Sequence, residues 1–193
     1  SMGAERAAAE AEAQKFVAIA TERNLDQMQG MLYKARLLMA QEKFRDAAQV
    51  VKQAVERVPN NPGAWRLLAM ANLEAGQIPD AISAFQRALD GQPNNGAIAK
   101  DYAKALIRVN RAKDALVIVN PETGVLRFAE NGSDEELVNM WLDLEASSAG
   151  PEGVTKAIDR RRLLFNRQPE NLVNTVSFCR LLIRADQFKD AQE

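Results

Sequence analysis

Apolar positions recur along this chain at the spacing of helix faces, and they do so in pairs. Trp65, Leu68, Ala69 and Leu73 fall three and four apart, which predicts a helix with one buried side. Asn61 is placed to cap its start, Pro62 suits the first helical position, and Gly76 suits the reversal at its end. A second face follows from about Pro79 to Leu89, made of Ala81, Ile82, Phe85, Ala88 and Leu89 and closed by Gly91 and Pro93. Together these segments predict a helix-turn-helix hairpin.

The hairpin repeats. Ala13, Ala47, Ala81 and Ala115 are each 34 residues apart, as are Ala20, Ala54 and Ala88, and Ala35, Ala69 and Ala103. Pro59 and Pro93 keep the same interval, each followed by a pair of asparagines. Small residues recur for a mechanical reason: helix axes approach to about 8 Å only where the crossing carries Ala or Gly. Bulky residues such as Trp65, Leu68, Ile78 and Phe85 then fill the space between hairpins. No hairpin can bury its apolar face alone, so each needs a neighbour.

With that spacing, Trp65, Leu68, Ala69, Gly76, Ala81, Phe85, Ala88 and Pro93 resemble the tetratricopeptide repeat. Ala35, Phe44, Ala47, Ala54 and Pro59 extend the likeness upstream, and Tyr102, Ala103 and Ala115 downstream. Pro121 to Gly124 and Asn131 to Ser133 then break the register, and it resumes through Trp141, Leu144, Ala157, Leu164 and Pro169, and again through Phe178, Cys179, Phe188 and Ala191. The resemblance implies an all-α, right-handed solenoid. Its expected divisions are a partial repeat or capping helix at 1–27, repeats at 28–61 and 62–95, a divergent repeat with an insertion at 96–137, a repeat-like unit at 138–171 and a truncated repeat at 172–193. Both ends look cut within a hairpin, so the chain is expected to be part of a longer protein.

Composition narrows the chemistry. There are 25 Lys plus Arg against 26 Asp plus Glu, so bulk charge favours neither nucleic acid nor an anionic membrane. No apolar run approaches the length of a membrane span. The chain has no histidine and one cysteine, which removes His-dependent nucleophile machinery, His-based zinc sites and an internal disulfide. Gly91 to Gly96 imitates a phosphate loop but lacks the Lys and Ser or Thr, and reads instead as a helix end followed by a capped start. Ser133 with Glu136 reads as a capping box, and Arg160 to Arg162 as a solvated helix face. Cys179 shares the register of the alanines at helix crossings and is expected to be a small buried hydrophobe. No catalytic residue, metal site or cofactor is expected, and compartment is left open between cytoplasm and periplasm.

The resemblance also implies where a partner would sit, because the family's first helices line a groove that receives peptides or helices. The matching positions here include Leu32, Tyr33 and Arg36, then Arg66, Leu67 and Met70, then Lys100, Lys104 and Arg108. They suggest an apolar floor with a basic rail, suited to an acidic-apolar segment of a partner protein. Relatives that clamp a terminal carboxylate carry Lys and Asn, then Asn, then Lys and Arg at these places; Leu32 and Arg36, Leu67, and Ala97 and Asp101 stand there instead, which disfavours that role. The expected function is therefore a non-enzymatic interaction scaffold. Two rivals are a self-assembling module of a bacterial envelope or polysaccharide-export system, and the recognition arm of an enzyme encoded outside this stretch.

Overall fold

The computed structural model describes residues 27–127, 134–148, 150–167 and 170–190, together with Ala11, Gln14, Lys15, Ala18 and Ile19, all five helical. The expected first repeat, the insertion at Asn131 to Ser133 and the last three residues lie wholly or mostly outside the described residues. Among the described residues there is no strand: the elements are helices and one 3-10 turn, the all-α solenoid of helical repeats that the sequence implies. They form two compact units, divided between Pro93 and Asn94.

The first unit holds α1 (Gln27–Ala40), α2 (Phe44–Arg57), α3 (Pro62–Glu74) and α4 (Ile78–Gly91). Each helix packs on the next in sequence, and the two first helices, α1 and α3, also meet. Ala47, Val51 and Ala54 of α2 share their register with Ala81, Phe85 and Ala88 of α4, and all six are buried. Ala35 and Ala69, in matching places on α1 and α3, are buried too. Removing a ring such as that of Phe85 from water stabilises by roughly 2–3 kcal/mol, which is why the register is held.

The turns repeat as well. Glu42, Gly76 and Asn110 all have positive φ, at 61°, 77° and 61°. Lys43, Gln77 and Arg111 each donate their N–H to the carbonyl five residues back, on Leu38, Asn72 and Leu106. This is the Schellman closure, in which one left-handed residue lets the chain reverse while satisfying the last helical carbonyls. It recurs every 34 residues although only one of the three residues is glycine. Helix starts recur likewise: Asn61 Oδ1 accepts the Ala64 N–H at 2.9 Å, and Asn95 Oδ1 accepts those of Ala97 and Ile98 at 3.1 Å.

The second unit holds α5 (Gly96–Arg108), α6 (Ala112–Val119), the 3-10 turn Val125–Arg127, α7 (Glu135–Ser148), α8 (Gly150–Arg167) and α9 (Leu172–Asp190). Pro121 explains why α6 stops early. A residue before proline is driven out of the helical region, and Asn120 is extended, with φ −62° and ψ 139°. Its Oδ1 then accepts the N–H of Glu122 and Thr123, closing a tight loop that sends Val125 and Leu126 into the interior. At α7 the cap is Asp134, whose Oδ1 accepts the Leu137 N–H at 3.1 Å; the expected cap Ser133 lies outside the described residues. α9 runs unbroken from Leu172 to Asp190, with no reversal at Asp186, the place that matches Gly76 in register.

Candidate functional site

In the first unit the expected groove positions separate into buried and accessible ones. Leu32 and Leu67 are buried at 8 % and 9 % exposure, so they serve the packing of α1 and α3 and are not an apolar floor waiting for a cover. Tyr33 is 55 % exposed, and the Arg36 guanidinium lies 5.9 Å from its ring centre. Arg36 is exposed, while Arg66 and Met70 on α3 are half-buried. What this face offers is one aromatic ring with a cation over it, a second cation and a thioether.

In the second unit, α5 carries Lys100, Lys104 and Arg108, and the acidic start of α7 answers two of them. Lys100 Nζ lies 3.0 Å from Asp134 Oδ2 and 3.2 Å from Glu136 Oε2, and Lys104 Nζ lies 2.5 Å from Glu136 Oε1. Hydrogen bonds from Lys104 and Lys100 hold the Glu136 carboxyl below its ordinary value. Burial pushes Asp134 upward, but hydrogen bonds from Lys100 and the Leu137 N–H bring it below its ordinary value. The hydrogen bond to Asp134 raises Lys100 above its own. Lys100 and Lys104 therefore spend their charge inside the unit, which the sequence reading of a rail turned wholly toward a partner did not foresee. Arg108 is exposed on the same helix.

Two further expectations are corrected. Arg160 to Arg162 is not a solvated face: Arg161 has 0 % exposure, Arg160 lies 4.2 Å from the ring centre of Trp141, and only Arg162 is exposed. Arg161 shares the inward stripe of α8 with Val154, Ala157 and Ile158, where it donates to Asn139 Oδ1 and sits 3.7 Å from Asp143 Oδ1. Its Nε and Nη2 have no hydrogen-bond partner among the described residues. Cys179 is exposed rather than buried. Leu172, Val176 and Ile183 are exposed on the same helix.

One hollow of the first unit lies away from the expected positions. Between the second helices α2 and α4, above α3, runs a cleft of about 480 Å³. Trp65, Leu68 and Asn72 of α3 form its floor, and Ala48, Val55 and Ala84 its apolar flanks. Trp65 is fixed there: its Nε1–H donates to the Pro59 carbonyl at 2.6 Å, and Arg87 stacks 4.8 Å from its ring centre. Sequence reasoning passed over this cleft. The available signal was Asn72, a polar residue standing on the apolar stripe that Trp65 and Leu68 begin.

No helix among the described residues is long and apolar enough to cross a membrane. Residues 32–96 and 72–121 each match the family profile of the tetratricopeptide repeat. No curated protein matches the chain in sequence. Among solved structures, YrrB, described as a TPR protein with an unusual peptide-binding site, superposes with a TM-score of 0.64 at 16 % identity, over 88 % of this chain and 84 % of that one. TTC0263, a thermophilic TPR protein of Thermus thermophilus, gives 0.59 at 16 % identity over 94 % and 96 %. MamA of Desulfovibrio magneticus RS-1, from its residue 41 onward, gives 0.64 at 18 % identity over 86 % and 90 %. At such identities the likeness is one of fold.

Proposed function

Because the chain is a tetratricopeptide-repeat protein, and so an interaction scaffold in kind, we propose that it is non-enzymatic and binds an acidic, apolar-bearing segment of a partner protein on its first helices. The observation that carries this reading is Tyr33, a large ring standing 55 % exposed beneath the Arg36 guanidinium. A cation over a ring keeps its N–H groups directed outward, where a carboxylate can accept them, while the ring edge takes an apolar side chain. Arg66 and Met70 on α3 extend the surface, and the buried Leu32 and Leu67 hold it rigid from beneath. That YrrB is described as having a peptide-binding site supports the class of ligand proposed.

The test is a selection from a random dodecapeptide library displayed on phage, followed by fluorescence anisotropy on the selected peptides. Peptides enriched in Asp or Glu beside an apolar residue are expected. Arg36→Glu with Arg66→Glu should weaken them at least tenfold, about 1.4 kcal/mol, with the helical circular dichroism intact. Unchanged affinity in that double variant would remove these helices from the interaction.

A further inference from the structure

Asn72 is out of place. One repeat earlier the same position is Leu38 and one repeat later it is Leu106, the latter fully buried. Asn72 is itself only 7 % exposed. Its backbone carbonyl accepts the Gln77 N–H, which any residue could do, so the turn does not require asparagine. Leucine at this site would bury more apolar surface and stabilise the repeat, so asparagine is not explained by packing. Asn72 lines the cleft between α2 and α4, where its amide can meet a ligand.

We infer that this cleft is a second binding site, distinct from the first-helix face, and that it takes an extended peptide whose backbone amide pairs with Asn72. A carboxamide presents one acceptor beside one donor, which is the mirror of a peptide group. The floor of Trp65 and Leu68 beside Val55 suits one apolar side chain of that peptide. The small walls Ala48, Ser83 and Ala84 let a backbone come close, and about 480 Å³ is within the usual size of ligand clefts. The rim sets the preferred charge. Arg45 and Lys52 stand two helical turns apart on the α2 wall and Arg87 lies over Trp65, against the two carboxylates Glu56 and Asp80. The occupant is therefore an apolar residue flanked by acidic ones. This inference does not rest on the function proposed above, since the first-helix face contributes none of these groups.

The test follows the side-chain amide of Asn72 and the indole N–H of Trp65 by NMR in the full chain. The probe is the capped tripeptide acetyl-Glu-Leu-Glu-amide, with acetyl-Lys-Leu-Lys-amide as its charge-reversed counterpart. Both resonances should shift saturably with the acidic probe and respond at least tenfold more weakly to the basic one. Asn72→Leu, which installs the residue of both neighbouring repeats, should lose at least tenfold in affinity while the melting temperature holds or rises. Arg45→Glu with Lys52→Glu should invert the preference between probes, and Arg36→Glu with Arg66→Glu should leave binding unchanged. Absence of any shift at millimolar peptide overturns the inference, as does equal binding by Asn72→Leu or a fall in that variant's melting temperature.

Discussion

The two units solve the same packing problem with different materials. In the first, the 34-residue register is unbroken from Ala35 to Ala88, buried alanines recur on all four helices, and the interior among the described residues is apolar apart from Asn72. In the second, the register slips after Ala115, α6 ends at Val119, and the α7–α8 interior contains a guanidinium. Charge on the surface of the second unit is partly paired within it, as Lys100 and Lys104 close on Asp134 and Glu136. The lesson is that small residues at fixed intervals leave a repeat's surface unencumbered, whereas a lengthened connection is stabilised by polar groups that then become unavailable to a partner.

Four experiments test this contrast. Each unit has its own tryptophan, Trp65 or Trp141, so Trp→Phe at the other makes fluorescence report one unit at a time. The largest effect is expected at Gly124, where a Cβ would lie 2.3 Å from the Ile118 carbonyl oxygen and 2.5 Å from that of Val117. Gly124→Ala should destabilise the second unit by about 2–3 kcal/mol in urea unfolding followed at Trp141 and leave the Trp65 transition unmoved. Next, Arg161→Met removes a buried charge and keeps an unbranched stem in its place, while Asp143, 65 % exposed, is left to water; a gain of about 1 kcal/mol in the second unit is expected. Loss of stability there would show that the guanidinium organises the α7–α8 interior.

A smaller effect is expected at the shared turn. Gly76→Ala places a side chain at φ 77° and should cost about 1 kcal/mol, while Glu42→Gly relieves the same strain and should gain about 0.5–1 kcal/mol in thermal unfolding. The smallest is a pH effect on the second unit. Asp134 and Glu136 have folded-state pKa values below their ordinary ones, so their stabilisation is fully present above about pH 5. It is lost as pH falls through the ordinary carboxylate range toward the lowered values. These pairs are partly exposed, so the change is a few tenths of a kcal/mol. Lys100→Met should flatten the melting temperature of the second unit between pH 5 and acid, read at Trp141.

Much of the fold is legible in the sequence because alanine spacing and helix punctuation are local signals. Ala35, Ala47, Ala54, Ala69, Ala81 and Ala88 are all fully buried, and Asn61 and Gly76 act as their chemistry suggests. What escapes the sequence depends on neighbours. Three consecutive arginines span more than half a helix's circumference, so on a helix covered from two sides one of them must face inward. Its register with Val154, Ala157 and Ile158 marked Arg161 as that one. Cys179 carried the register of the buried alanines, but burial at a crossing requires a second helix, and residue type alone does not supply it. Leu32 and Leu67 show the same limit from the other side: position on a first helix does not say which side chains its neighbour hides. The charges at Asp134 and Glu136 became partners of Lys100 and Lys104 only through the folded arrangement of α5 and α7.

The common reversal at Glu42, Gly76 and Asn110 bears on how such an array changes length. A hinge formed identically by an acid, a glycine and an amide makes few demands on the residue at its centre, and the asparagine caps at Asn61 and Asn95 keep the opposite end equally uniform. A copy cut at one asparagine and joined at the next would begin with the same kind of cap as the one it follows. Duplication or deletion of whole 34-residue blocks is thereby compatible with the joints already present, and divergence is left to the faces between them.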